Sequence, residues 1–349
     1  MEKLPLETQT LYAEFLERLT AAEAERSVGH LAGSFTTKIV KGGTYHYFQY
    51  SDPGGQLRQI YLGKESPALK RALAGFQKKR AETRLETKAF QRLAAQLRAG
   101  GALTSDGASA RVLKALSDGG VFKLGGVLVG THAFAVLGNL LGYRWEGAGL
   151  RTQDLDIAAD PILPIAVPEL ASDVPKILES LAMGFLPVPP LHHSQPSTSF
   201  KVRGQALRVD LLTPGSLRQP KSWVPVPRWN AAAQALPYLD YLLEESLAGA
   251  VVDGGGILVN VPAPGRFALH KLITSQERAA AFQTKVEKDL RQAAQILQAL
   301  AEERPGDVQL AWEALRERGR SWTGKAKKGL AAMRKYSGKS HSRIAALLK

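Results

Sequence analysis

In the stretch LRTQDLDIAAD, Leu150 to Asp160, two aspartates flank a single leucine. On a strand, residues two apart point to the same face. Asp154 and Asp156 would then stand side by side, each disfavouring ionisation of the other. A divalent cation relieves that repulsion, and Mg²⁺ takes one or two carboxylates together with substrate phosphates. A third aspartate, Asp210 in LRVDLLT, alternates with Val209 and Leu211 and so points away from an apolar face. Three aspartates on neighbouring strands would hold two metal ions. Two ions can activate an attacking oxygen and stabilise the leaving one in an in-line displacement at phosphorus. Upstream, LVGTHAF sets Gly130 and Thr131 at a strand-to-helix joint. A helix N-terminus offers free N–H groups and partial positive charge to an anion. Glycine lets a ligand approach the backbone, and Thr131 can donate its hydroxyl. Each feature alone is commonplace: an exposed strand end, an ordinary strand, an ordinary helix cap. Their order along the chain makes phosphoryl transfer the stronger reading.

The elements that must position these residues are legible from period and punctuation. Residues 5–28 carry helical spacing, and Thr44–Tyr50 and Leu57–Gly63 alternate as the strands of a β-hairpin around the turn residues Asp52–Gly55. Ser66 followed by Pro67 starts a long helix to about residue 98. A linker at 99–109 precedes a helix near 110–118, a strand at Gly126–Gly130, a helix from Thr131 to about Leu141 and a strand at Asp154–Ala159. The pattern then predicts a helix near 168–183, strands at Ser199–Gly204 and Ala206–Thr213, and a loop rich in Trp and Pro. A helix near 237–246, a strand at Ile257–Pro262 and two helices over Gly265–Leu300 follow. The organisation expected is 1–100, an N-terminal helix, hairpin and long helix; 110–262, the chemical core; 263–304, a helical phosphate-binding segment; and 305–349, a basic helical tail.

A chain of 349 residues, 44% hydrophobic, can bury a substantial core and is not a disordered protein. It has no cysteine, which removes disulfides and thiolate chemistry. The opening residues are acidic and helical rather than a secretion signal, and the most apolar stretch, GVLVGTHAFAVLGNLLG, is interrupted by Thr131, His132 and Asn139. No membrane partner and a cytoplasmic location are therefore expected. The net charge is +14, of which +10 lies between Arg316 and Lys349, where eleven Lys/Arg face one acid, Glu317. Such a tail either holds phosphate backbones or is a solvated end. In the hairpin, Tyr45, Tyr47, Tyr50 and Tyr61 are interleaved with Lys38, Lys41, Arg58 and Lys64, a pattern that serves base stacking or sheet packing. Candidate nucleic-acid contacts are Tyr45, Tyr47, Lys41, Arg58, Lys325, Lys327 and Lys328. Lys271 and Arg278 are seven apart and Lys285 and Lys288 three apart, so each pair shares a helix face and could clamp phosphates. His270 reads as a packed residue, and His192–His193 as loop residues.

This order of motifs resembles the nucleotidyltransferase superfamily with the DNA polymerase β-like fold: a glycine–Ser/Thr helix start at Gly130–Thr131, a DxD strand at Asp154 and Asp156, and a third carboxylate at Asp210. FALHKLITSQERAAAFQTKVEKDLRQA is similar to the helical part of abortive-infection toxin-type transferases, with Lys271, Arg278 and Lys288–Asp289 at the matching places. KGGTYHYFQYSDPGGQLRQIYLG and VPAPGRFALHKL resemble segments of an uncharacterised bacterial nucleotidyltransferase-like family, over roughly residues 30–300. Two departures stand out: 24 positions separate Gly130 from Asp154, and Gln292 stands where that branch often has a second acid.

The resemblance implies an α+β fold, a polymerase β-like mixed sheet with flanking helices, an N-terminal helix and hairpin, and a helical C-terminal region. It implies a Mg²⁺-dependent enzyme, with two ions expected and Mn²⁺ as a substitute, moving NMP from an NTP to a hydroxyl acceptor. Asp154, Asp156 and Asp210 would be the metal ligands and, with Asp289, the catalytic set. Gly130, Thr131, Lys271, Arg278 and Lys288 would bind the nucleotide. The acceptor would be RNA or tRNA, DNA, a protein or a small molecule, with nucleic acid held through the tail and hairpin. Two other readings remain: a nucleic-acid-binding protein on a transferase scaffold, and a toxin-like effector modifying tRNA.

Overall fold

The computed structural model describes residues 1–26, 33–40, 42–51, 57–147, 152–161, 172–190, 195–219 and 221–349. Strand β1 (Glu2–Lys3) and helix α1 (Leu6–Arg26) precede an antiparallel sheet of β2 (Gly33–Val40), β3 (Gly43–Ser51) and β4 (Leu57–Lys64). Helices α2 (Pro67–Ala99) and α3 (Gly107–Asp118) lead to β5 (Val127–Val129), α4 (Gly130–Leu141), β6 (Tyr143–Arg144) and β7 (Asp154–Ala158). Next come α5 (Val174–Ser180), β8 (Phe185–Pro187), β9 (Ser199–Val202), β10 (Arg208–Pro214), β11 (Trp223–Val226) and β12 (Ala231–Leu236). Helix α6 (Leu239–Leu243) precedes the hairpin β13 (Ser246–Val251) and β14 (Ile257–Pro262). The chain continues through α7 (Pro264–Glu277), α8 (Gln283–Glu303), α9 (Pro305–Glu317), α10 (Arg320–Ser337) and α11 (His341–Leu347).

The fold is α+β, a mixed sheet flanked by helices. Its order is β11-β12-β10-β7-β5, with β9 joining β10 and β8 joining β9. β10 is parallel to both β7 and β12, and β5 runs antiparallel to β7. β9 pairs the first half of β10 and β12 its second half. Alternation explains the depth of the central strands. On β7, Leu155 and Ile157 are fully buried while Asp154 is exposed and Asp156 half-buried. α2 starts as its sequence predicts: Ser66 Oγ accepts the Leu69 N–H at 3.2 Å, with Pro67 next.

Four local expectations change. The hairpin gains a third strand, β2. The helix expected near 168–183 is only Val174–Ser180 among the described residues. The Trp- and Pro-rich stretch contains β11 and β12, because AAAQAL has no apolar/polar alternation and is a strand by pairing with β11 and β10. The helix expected to 246 ends at Leu243, where β13 soon takes over. The Asp52–Gly55 turn, His192–His193 and Lys41 lie outside the described residues.

Helix α1 and the end of α2 lie on the β13–β14 hairpin. Tyr12, Phe15, Leu19, Phe90, Ala94 and Leu97 form one buried cluster with Ala250 and Val252. The basic tail is packed rather than loose. A Cβ on Gly329 of α10 would stand 2.3 Å from the Leu272 carbonyl oxygen of α7, so only glycine allows this approach. Among the described residues no helix is long and apolar enough to cross a membrane.

Tyr12 ties α1 to the hairpin: its hydroxyl donates to the Ala250 carbonyl at 2.9 Å and accepts the Ala250 N–H at 3.0 Å. Tyr12→Phe strands both buried backbone groups. It should lower unfolding free energy by about 1–3 kcal/mol in urea titration. An unchanged midpoint would show that α1 is not anchored there.

Candidate active site

One cleft of about 530 Å³ opens beside the carboxyl-bearing strands. Its lining includes Gly130, Thr131, Asp154, Asp156, Asp210, Lys271, Arg278, Lys288 and Asp289, residues the sequence spreads over 160 positions. Tyr45 and Tyr47 do not line it. They sit on β3 in contact with Tyr61, with centroids 6.3 and 5.4 Å apart, and the Lys38 ammonium lies over Tyr47. Arg58 lies on β4.

The acidic wall is built by register. Asp156 pairs with Asp210 across β7 and β10, and Asp154 pairs with Arg208. Gly130 fixes the relation of this wall to α4. Its φ is +66°, and a Cβ there would meet Asp156 Oδ2 at 2.2 Å. Glycine is therefore required twice, for the left-handed turn and for the approach of the carboxylate. Burial, reinforced by the Asp210 charge, pushes Asp156 up to about 7, against the pull of Lys271. Thr131 is buried at the helix start, and Gln292 Nε2 of α8 lies 3.5 Å from its Oγ1.

Asp210 does not stand open as the sequence suggests. Arg208 Nε donates to its Oδ1 at 2.7 Å, and Ser199 Oγ donates to the same oxygen. Arg208 Nη2 also donates to Ser199 Oγ at 2.8 Å, closing a three-membered network. Among the described residues no three His, Asp or Glu side chains converge into a group that could hold a metal ion by themselves.

The opposite wall is cationic and comes from α7 and α8. Asp289 is 4% exposed and receives Lys271 Nζ on Oδ1 and Arg278 Nε on Oδ2, each at 2.7 Å. Burial alone would raise its pKa, but the Lys271 and Arg278 charges outweigh that and hold it below the ordinary range. A carboxylate with both oxygens so held is a poor proton acceptor. It holds two cations in place. Burial and the neighbouring Lys271 charge lower the Lys288 pKa. Lys285 is exposed at the rim, near Phe282.

Sequence reasoning passed over several lining residues. Arg208 precedes Asp210 by two positions, so strand period alone places it on the same face. Tyr238 carries no such signal: it has φ +68° and stands edge-on to Trp322 at 4.6 Å. His270 lines the cleft, and burial pushes its pKa down to about 3, so its imidazole is neutral at physiological pH.

Comparison with known proteins adds a family. A family model described as nucleotidyltransferase matches residues 108–317, from α3 to the end of α9. No curated protein matches the chain. Among solved structures, an antigenic nucleotidyltransferase-like protein from Paracoccidioides brasiliensis is similar at 15% identity, covering 63% of this chain and 94% of that one, with a TM-score of 0.32.

The raised pKa of Asp156 has a sign that can be measured. Its stabilising contribution is complete below the unfolded-state pKa of about 4 and is lost as pH rises through about 7. In EDTA at about pH 8, Asp156→Asn should therefore melt a few degrees above the parent, and the gain should vanish near pH 4. Equal melting temperatures across this range would show that the carboxylate is not held against its charge.

Proposed function

The chain belongs to the nucleotidyltransferase family, and from that premise we propose that it moves a nucleoside monophosphate from an NTP to a hydroxyl acceptor, releasing pyrophosphate. One observation carries the reading: an acidic wall and a cationic wall face each other across a cleft of nucleotide size, with a glycine-started helix between them.

The donors present suit a hard cation. Asp154 and Asp156 offer two carboxylates on one strand face, and burial together with the Asp210 charge opposes the ionisation of Asp156. They do not form a closed cage, which fits Mg²⁺ or Mn²⁺ completing its shell with water and nucleotide phosphates. A second ion would draw on Asp210, which Arg208 now holds. Bound Mg²⁺ would supply charge neutralisation between the acids and the phosphates.

The chain's own groups do the rest. Thr131 and the first N–H groups of α4 meet phosphate oxygens. Lys271 and Arg278, fixed by Asp289, grip the triphosphate, and Lys288 adds charge. The acceptor oxygen bonds to the α-phosphorus as the bond to the departing pyrophosphate breaks. Asp210 is the carboxylate placed to receive the acceptor's proton. The Lys271–Arg278–Asp289 set favours the abortive-infection toxin-type branch within the family. A scaffold that binds nucleic acid without transfer is the second reading, and the Arg208–Asp210–Ser199 network favours it.

Purified protein with Mg²⁺, each α-labelled NTP, and RNA, DNA or protein acceptors should transfer label to one acceptor pool. Asp154→Ala/Asp156→Ala should lower that transfer by about 10³-fold or more. Asp289→Asn should raise the KM for NTP by about tenfold while leaving the fold intact by circular dichroism. Label transfer that survives the double substitution would sink the assignment.

A further inference from the structure

Between Arg320 and Lys349 there are nine Lys/Arg and no Asp or Glu. α10 turns this composition into a surface. Arg320, Lys327 and Arg334 recur every seven residues and form one line, about 10 Å between neighbours, with Lys328 and Lys335 beside it. All five are exposed. Lys327 lies near the Trp312 ring and Lys335 near Tyr336 and Glu287. Arg320, Lys328 and Arg334 have no side-chain partner among the described residues.

The same helix reaches the cleft. Lys325 pairs with Glu277 and lies over the Tyr238 ring, and Trp322 stands edge-on to Tyr238. Glu277 and Tyr238 both line the cleft. α10 lies beyond the end of the family match at Glu317, so the family's common core does not include it. Its other face is committed: Ala326, Gly329, Met333 and Ser337 are buried. No apolar face is left to enter a lipid surface.

We propose that the exposed face of α10 is a track for the phosphate backbone of a single-stranded nucleic acid whose terminal 3′-hydroxyl is the acceptor. The acceptor role rests on the transferase reading of the cleft. A cleft of about 530 Å³ has room for a nucleotide, and the single line of cations on α10 matches one phosphate backbone. In the step, the 3′-oxygen bonds to the α-phosphorus of the NTP. The bond from that phosphorus to the β-phosphate's bridging oxygen breaks, pyrophosphate leaves with the electron pair, and the hydroxyl proton passes by way of Asp210 to solvent.

The test uses the full chain and a fluorescent single-stranded RNA of about twenty nucleotides, with DNA of the same sequence in a second arm. Anisotropy should show binding whose log affinity falls against log salt with a slope of roughly −2 to −4. Arg320→Ala/Lys328→Ala/Arg334→Ala should weaken strand binding at least about tenfold. NTP binding and melting temperature should stay as in the parent. The charge-keeping set Arg320→Lys/Lys328→Arg/Arg334→Lys should bind like the parent. Extension of the strand should fall with binding when the strand is subsaturating. Parental affinity in the alanine set, salt-independent binding, or capture of anionic vesicles without strand binding would overturn the track. NMP transfer to another acceptor, unchanged in the alanine set, would overturn the track and leave the transferase standing. Strand binding lost in the alanine set, with no extension by any NTP, would keep the track and overturn the acceptor role, and the transferase reading would fall with it only if no NMP reached any other acceptor either.

Discussion

Negative charge crowded on one edge of the sheet, with the Asp156 carboxylate pressed against Gly130, is the constraint on which the site depends. The register of β7 on β10 makes the crowding unavoidable, because it sets Asp156 beside Asp210. Gly130 makes it tight, because any side chain there would displace the carboxylate. The result is an acid whose ionisation is opposed by its own surroundings. A fold selected only for stability would place an amide there. An aspartate there makes sense if a cation completes the site, and on the proposed function that cation would link this strand pair to a nucleotide's phosphates.

The cationic wall answers the acidic one but is kept apart from it. Asp289 holds Lys271 on one oxygen and Arg278 on the other, so both cations are tied to α8. The two walls therefore remain separated by a cleft instead of collapsing into a salt-bridge network. α10 extends this separation outward: Gly329 seats it on α7, and Lys325 is held by Glu277 at the rim. Positive charge that composition alone leaves as a loose tail thereby becomes an ordered face beside the opening.

Much of this was legible in the sequence because it depends on short-range geometry. The alternation around Leu155 and Val209 predicts which face the aspartates take, and Ser66–Pro67 predicts where α2 begins. The Gly130–Thr131 joint reads as a strand-to-helix turn from its neighbours alone. What the sequence withheld depends on pairing. AAAQAL becomes β12 because β10 and β11 offer it partners on both edges, a fact no local pattern contains. The state of Asp210 depends on Ser199, eleven positions away, arriving on β9. Asp289 looks like a free acid until α7 and α8 are packed and its two cations are seen.

Arg208 is where these arguments meet. It sits opposite Asp154 in the register, and its guanidinium binds Asp210. At 39% side-chain exposure it is not locked in place by burial, whereas Asp210, at 16%, is. The pair is therefore asymmetric: the acid is fixed and its partner can leave. While Arg208 stays, Asp210 is ion-paired, yet its charge still opposes the ionisation of Asp156. On the proposed function, an anionic substrate entering the cleft would give the guanidinium a competing partner, and a second cation would compete with it for Asp210. The third carboxylate would then be conditional, its availability coupled through Arg208 to what occupies the cleft.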